Sequence, residues 1–199
     1  MTTAPGQRRA VFPRKPSAPA HHQSQRGSVE LEQLLADLGL QEQICIAGDN
    51  SRNGVTVAGD ATALTMLETE LERRAVFVRR LALDYAFHSP AMDVIEKPVQ
   101  QALTAIRPQQ AKIPFYSTVY GKPLQGSELD AHYWWLNIRE RVQFKSALDQ
   151  LVATGHNLYV EIGSHAILRS YIQEACQSLG DNKLCLPTGK KFQQNAELV

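Results

Sequence analysis

The chain has 199 residues, of which 43% are hydrophobic and 21% are charged, which is the composition of a soluble globular protein of one or two domains. The formal net charge is only +1, and basic residues form no block outside the N-terminus. The composition therefore argues against a nucleic-acid-binding surface, and we expect no nucleic-acid partner.

Neither export nor membrane insertion is supported by the sequence. The three cysteines are odd in number, lack a Cys-x-x-Cys motif and lie in apolar segments, at Cys45, Cys176 and Cys185. They are typical of reduced thiols in a cytoplasmic protein. No apolar run has the length of a signal peptide or a membrane span, so we expect a cytoplasmic chain without a membrane partner.

Residues 1–27 are rich in proline, basic residues, glutamine and serine, with almost no periodic apolar pattern. This composition predicts a disordered basic tail. His21 and His22 lie within it, but two adjacent histidines lack the further fixed ligands of a metal site, so we predict no metal there.

Residues 28–86 contain strand and helix patterns in a recognisable order. Apolar residues at helical spacing predict a helix from Ser28 to Gly39, and β-rich runs at 44–47 and 55–58 flank a turn and predict a hairpin. Asp60 is placed to cap the next helix, and a strand follows over 76–86. Strand, strand, helix, strand is most of a ferredoxin-like sandwich, with one helix and at most one strand still unassigned.

The rest of the chain alternates between helix and strand. A helix is predicted over 90–106 with a kink at Pro98, a strand over 113–119, and a helical region from Asp130 to about residue 152. A strand at 158–162, a helix at 167–179 and a short strand at 184–187 come before a polar tail at 188–199. This alternation predicts a partly parallel α/β sheet.

His88 is the residue best placed for chemistry, because it lies where an apolar β-run ends and Ser89-Pro90 begins a helix. A half-buried structural histidine at a strand end is the alternative. No Gly-x-Ser-x-Gly elbow accompanies it; the nearest sequence is Gly163-Ser164-His165-Ala166, which favours a packing or phosphate-facing loop. No metal-ligand spacing and no Gly-rich phosphate loop is present. The residues alone offer a base without a nucleophile.

The segment Asp-Tyr-Ala-Phe-His-Ser-Pro-Ala-Met-Asp at 84–93 resembles the Ala-Phe-His-Ser-Pro segment of the acyltransferase domains of modular polyketide synthases, relatives of malonyl-CoA:acyl-carrier-protein transacylase. Three further stretches match in order, at 46–60, 113–144 and 159–168. The resemblance implies an α/β fold in which 28–187 is a partial acyltransferase domain. Within it, residues about 44–86 would be a ferredoxin-like small subdomain, and 87–187 the C-terminal part of an α/β-hydrolase-like large subdomain.

The resemblance also implies a ping-pong reaction. A serine takes malonyl or a substituted malonyl group from coenzyme A and passes it to the phosphopantetheine thiol of an acyl carrier protein. It assigns His88 as the catalytic base and the main-chain carbonyl of Asn137 as the group that orients its ring. Tyr85 and Phe87 fall in the acyl-selectivity motif, where Phe87 favours malonyl and Tyr85 is more typical of methylmalonyl. Acyl-CoA is a substrate here, and no cofactor or metal is implied.

The family's serine elbow, oxyanion hole and carboxylate-binding arginine all come before the small subdomain, where this sequence has its predicted tail. We therefore expect this chain alone to be inactive. Three interpretations stay open: an acyltransferase portion that works with a polypeptide supplying the missing N-terminal half, a non-catalytic module that binds a carrier protein, and an inactive truncated gene product.

Overall fold

The structure is a computed structural model that describes residues 20–24, 27–81, 85–164, 166–177 and 184–189. Its strands are β1 (Ala20–Ser24), β2 (Ile44–Asp49), β3 (Val55–Gly59), β4 (Val78–Leu81), β5 (Phe115–Ser117), β6 (Lys122–Leu124), β7 (Leu158–Glu161) and β8 (Leu184–Pro187). Its α-helices are α1 (Ser28–Asp37), α2 (Ala61–Arg73), α3 (Glu96–Ala102), α4 (Ala131–Arg139), α5 (Phe144–Ala153) and α6 (Arg169–Gln177), and a 3₁₀ helix spans Pro90–Ile95.

The first four strands and two helices form a ferredoxin-like subdomain. The antiparallel sheet has the order β2-β3-β1-β4, with α1 connecting β1 to β2 and α2 connecting β3 to β4. This is the split β-α-β-β-α-β topology. The predicted hairpin between β2 and β3 is confirmed, and α1, predicted from Ser28 to Gly39, is the helix that completes the topology.

Strand β1 corrects the prediction that residues 1–27 are a disordered tail. Residues 20–24 form an inner strand that pairs with β3 on one side and β4 on the other, with His22 opposite both Val57 and Arg80. Local composition does not predict this strand, because the strand forms through backbone pairing with β3 and β4, which lie far along the chain, and has no apolar pattern of its own. The small subdomain therefore includes residues 20–24, ahead of the predicted start at about residue 44. Residues 1–19, 25–26 and 190–199 lie outside the described residues.

Helices α1 and α2 contribute leucines to the core of the small subdomain. The largest fully buried side chains of this core are Leu31, Leu34, Leu64, Leu67, Leu71, Val55 and Val57. Burying one such side chain contributes about 1.5–3 kcal/mol, so this core can hold the subdomain together. The predicted cap of α2 is confirmed, since Asp60 Oδ1 accepts hydrogen bonds from the Thr62 and Ala63 amides at 2.8 and 3.1 Å.

Two helix predictions in the second half of the chain are wrong in detail. The helix predicted over 90–106 is a 3₁₀ helix followed by α3, and Pro98 causes no kink because it lies in the first turn, where no backbone N–H is needed. The helical region predicted after Asp130 divides into α4 and α5. The residues between them run beside β2, where Val142 donates to Ala47 O at 2.9 Å and accepts from the Asp49 amide at 2.8 Å.

Strands β7 and β8 are parallel, as the alternating pattern predicted. One face of this pair packs against α5 and α6 through Leu148, Val152, Tyr159, Ile172, Cys176 and Cys185. The opposite face carries exposed apolar side chains, at Leu158, Val160, Leu184 and Leu186. Parallel strands are normally covered on both faces, so this face has the composition of an interior surface.

Candidate active site

His88 lies in the turn that leads into the 3₁₀ helix. Its backbone adopts a left-handed conformation with a φ of 61°, which histidine tolerates better than most residues. Its amide donates a 2.8 Å hydrogen bond to Ile138 O at the end of α4. Buried Ser89 fixes the other side of the turn, because its hydroxyl donates to Ala86 O at 2.7 Å and accepts from the Ala91 amide at 3.3 Å.

The imidazole ring of His88 is oriented by a main-chain carbonyl. Its Nδ1 lies 2.8 Å from Glu140 O. A carbonyl can only accept, so in the neutral ring Nδ1 carries the hydrogen and Nε2 is the acceptor. This is the tautomer that a general base needs, and a carbonyl holds it without burying a charge.

The carbonyl that orients the ring is a correction to the sequence assignment, which chose Asn137. Asn137 lies half-buried in the last turn of α4, three residues before Glu140. Glu140 ends the helix with an extended backbone, at φ −82° and ψ 155°, and residues 141–143 turn away toward β2. The helix end delivers the Glu140 carbonyl, rather than that of Asn137, to the ring of His88.

Tyr85 and Phe87 are exposed next to the histidine. The centroids of their rings are 5.7 Å apart, and the Phe87 ring lies 6.4 Å from the imidazole. The structure therefore brings three of the four predicted site residues together in one turn: Tyr85, Phe87 and His88.

Two side chains next to the His88 turn, Cys45 and Ser89, have polar groups that are already engaged. Cys45 Sγ lies 3.7 Å from His88 O and 3.5 Å from Ala58 O, and burial raises the pKa of its thiol, which keeps it protonated. The hydroxyl of Ser89 is buried and engaged by the turn. What the described residues assemble here is a base with its orienting group.

The Gly163-Ser164 segment belongs to another part of the fold. Glu161 Oε1 accepts from the Ile167 and Leu168 amides at 2.7 and 2.9 Å, and Thr188 donates to Glu161 O, so the loop is held as a turn at the end of β7. An apolar cleft of about 590 Å³ adjoins it, lined by residues such as Leu151, Leu158 and Ile162. His165 lies outside the described residues.

Across the described ranges, no group of three or more His, Cys, Asp or Glu side chains is arranged to hold a metal ion. No helix there has the length and apolar character needed to span a bilayer.

A family model described as the acyl transferase domain matches residues 1–198. The chain belongs to the acyltransferase family. Among the curated relatives, polyketide synthase GfsB of Streptomyces halstedii is 40% identical over 155 residues, which cover 77% of this chain and 3% of that protein. NorA' of the spectinabilin polyketide synthase system of Streptomyces orinoci is 35% identical over 146 residues, covering 73% of this chain and 4% of the relative. These are modular polyketide synthase proteins, and this chain is an acyltransferase domain of that kind.

Solved acyltransferase structures agree with the fold. The domain from module 8 of the salinomycin polyketide synthase superposes with a TM-score of 0.82 at 32% identity, covering 87% of this chain and 41% of that one. A loading acyltransferase of the avermectin synthase gives 0.81 at 29% identity, covering 89% and 55%. The acyl transferase domain of SpnD, solved with 2-(pent-4-yn-1-yl)malonyl, gives 0.77 at 25% identity, covering 89% and 42%. The chain thus spans about half the length of the acyltransferase structures that it matches.

Glu140 is the site residue that sequence reasoning missed. Its contribution is a carbonyl oxygen, which no side-chain pattern marks. Recognising it required the helix break at 140–143, and the apolar spacing of Leu136, Phe144 and Leu148 conceals that break by continuing on both sides of it.

Proposed function

We propose that this chain is the histidine-bearing portion of an acyltransferase that moves malonyl, or a substituted malonyl, from coenzyme A to an acyl carrier protein. His88 is the general base that activates a serine, and it later serves as acid and base in transfer to the phosphopantetheine thiol. The observation that carries the proposal is the 2.8 Å contact between His88 Nδ1 and Glu140 O, which leaves Nε2 as the proton acceptor.

The serine itself comes from a polypeptide segment outside this sequence. None of the serines in the 199 residues lies in Gly-x-Ser-x-Gly. The segment that bears the nucleophile is either joined to this one in a longer protein or carried by a separate chain. His88 alone can move a proton but cannot form the acyl-enzyme, so turnover requires that segment.

The exposed face of β7 and β8 supports the need for such a segment. Its apolar side chains suit contact with further strands or helices of the large subdomain. The share of the matched acyltransferases that this chain leaves uncovered is large enough to supply them. We propose that the serine-bearing segment packs on this face.

The acyl group is proposed to be malonyl. Phe87 lies beside the imidazole, where its ring occupies space that an α-substituent on the malonyl group would need. The SpnD domain was solved with a substituted malonyl, so the family accommodates such groups. Tyr85, in contact with Phe87, is the residue that leaves methylmalonyl as the competing substrate.

A hybrid protein tests the proposal. The part of the salinomycin module 8 domain that bears its serine elbow is fused before residue 20 of this chain, and the hybrid is incubated with radiolabelled malonyl-CoA. We expect covalent label that survives denaturation and transfers to a carrier protein. His88→Gln should lower the acylation rate by about 10⁴-fold or more, because the serine loses its base.

His132→Gln is the matched control, since His132 is an exposed histidine on α4 outside the turn that carries His88. A soluble hybrid that takes up no label, or one that labels equally well with His88→Gln, would contradict the proposal. Carrier-protein binding by this chain without any labelling of the hybrid would instead favour the non-catalytic module.

A further inference from the structure

Glu140 is flanked in sequence by two arginines that hold it from opposite sides. Its own side chain is exposed, so its contribution to the site is the carbonyl that contacts His88. Arg139 and Arg141, by contrast, reach away from the loop into two different parts of the structure. The backbone of Glu140 thus lies between two residues whose side chains are anchored elsewhere in the fold.

Arg141 ties the loop to the small subdomain. Its Nη1 lies 2.8 Å from Glu32 Oε1 on α1, and its Nη2 lies 2.5 Å from Asp49 Oδ2 at the end of β2. One planar guanidinium thus bridges a helix and a strand, which the single ammonium group of a lysine cannot do with the same geometry. The next residue, Val142, is hydrogen-bonded to β2 through both its N–H and its carbonyl.

Arg139 ties the loop to the segment that follows the histidine. Its Nε lies 2.5 Å from Asp93 Oδ1, in the 3₁₀ helix that begins two residues after His88. The guanidinium is partly buried, with 24% of its side chain exposed. This ion pair fixes the distance between the end of α4 and the turn that carries the imidazole.

We propose that Arg139 and Arg141 are positioning residues that hold the Glu140 carbonyl against His88 Nδ1 and so maintain the base tautomer of the ring. Each arginine acts through the backbone of Glu140. The inference rests on the proposed role of His88 as a base, but it concerns the state of the ring and not the transfer itself.

General stabilisation is the competing explanation for these ion pairs. Partly exposed pairs contribute little to folding stability, so a purely structural role would leave the imidazole unaffected when one is removed. A positioning role makes a different prediction, because small displacements of a group that orients a base can cost up to about 100-fold in rate.

The test measures the tautomer of His88 directly by imidazole ¹⁵N NMR on this chain. In the native protein we expect the His88 Nδ1 resonance in the range of a protonated ring nitrogen. In Arg141→Gln and Arg139→Gln it should shift toward the averaged value of a ring that exchanges between tautomers. Arg141→Lys should show a smaller shift than Arg141→Gln, because a lysine at this position can still reach one of the two carboxylates.

Arg73→Gln is the matched control, because Arg73 forms an exposed ion pair with Glu70 on α2, in a different part of the fold. If Arg141→Gln fails to fold, Asp49→Asn and Glu32→Gln each remove one arm of the same bridge. Unchanged His88 resonances in the folded variants would overturn the proposal, even if their melting temperatures fall. Because no turnover is measured, this result is independent of whether the hybrid transfers an acyl group.

Discussion

The turn at 85–88 holds the proposed base and both proposed selectivity residues within four residues. The left-handed backbone at His88 directs the ring toward Glu140 O, while Phe87 and Tyr85 stay on the solvent side with their rings in contact. Phe87 is 38% exposed, so its ring is partly open to solvent. In the proposed function, the base and the group that limits the acyl substrate are therefore neighbours in one turn.

Replacing Phe87 with serine should widen the space next to the base. In the hybrid we expect the ratio of methylmalonyl to malonyl transfer to rise by about tenfold, since rejecting one extra carbon in an apolar site is worth about 1–3 kcal/mol. Competition between the two labelled acyl-CoA substrates measures the ratio. Tyr85→Phe, which keeps the ring, is the control and should leave it within error. An unchanged ratio in Phe87→Ser would remove Phe87 from the selectivity site.

At the level of elements, helix α2 shows how local charge pairing adds to a capped helix. Glu70 is held by two arginines of the following turn, with 2.7 Å to Arg73 Nε and 2.6 Å to Arg74 Nε. Hydrogen bonds from these guanidinium groups, Arg73 foremost, lower the pKa of the Glu70 carboxyl to about 2. The folded state therefore favours the ionised carboxylate.

This pairing predicts a pH-dependent contribution to stability. A folded pKa below the ordinary value of 4.5 means that the contribution is present above about pH 4.5 and is lost as the pH falls toward 2. The difference in unfolding midpoint between the native protein and Glu70→Gln should thus be largest near neutral pH and shrink through that interval. Urea titrations at several pH values measure it, with Glu72→Gln on the same helix as the control. A difference that grows on acidification would contradict the assignment.

The elements that sequence alone predicted are those whose information is local. The hairpin of β2 and β3 has its turn residues, α2 has Asp60, and β7 is an apolar run that α6 follows in the alternation of strand and helix, so each could be located. Strand β1 and the break at 140–143 depend on backbone hydrogen bonds to residues far away in sequence. No local side-chain pattern predicts either feature. The same holds for the site. His88 could be predicted from its motif, whereas the Glu140 carbonyl that orients its ring could not.

At the level of the whole molecule, the two parts of the fold differ in how the described residues cover them. The four-stranded sheet and its two helices enclose their own core, whereas the described residues pack on only one face of β7 and β8. Side chains alternate along these strands, so the exposed face can be changed without disturbing the packed one. Exposed contiguous apolar surface of this kind favours association.

Val160→Lys should therefore reduce self-association of the isolated chain. Val160 is 53% exposed at the centre of the uncovered face, so the lysine can reach solvent and will oppose apolar contact. Sedimentation velocity across a concentration series should show a shift toward the monomer, with Val29→Lys on α1, where the valine is 76% exposed, as the control. The same Val160→Lys change should lower labelling of the hybrid. If both variants self-associate as strongly as the native chain does, this face does not mediate the self-association.

Strand β1 has a practical consequence for anyone designing an expression clone of this domain. In the order β2-β3-β1-β4, the edge strand β4 is hydrogen-bonded to the sheet through β1, and β4 is the element that leads toward the turn carrying His88. A clone that starts at Ser28, where composition predicts that the globular part begins, would keep the hairpin of β2 and β3 but leave β4 without its partner strand β1. The segment that leads to His88 would then lose its hydrogen bonds to the strand at residues 20–24, although every residue of the site itself was retained.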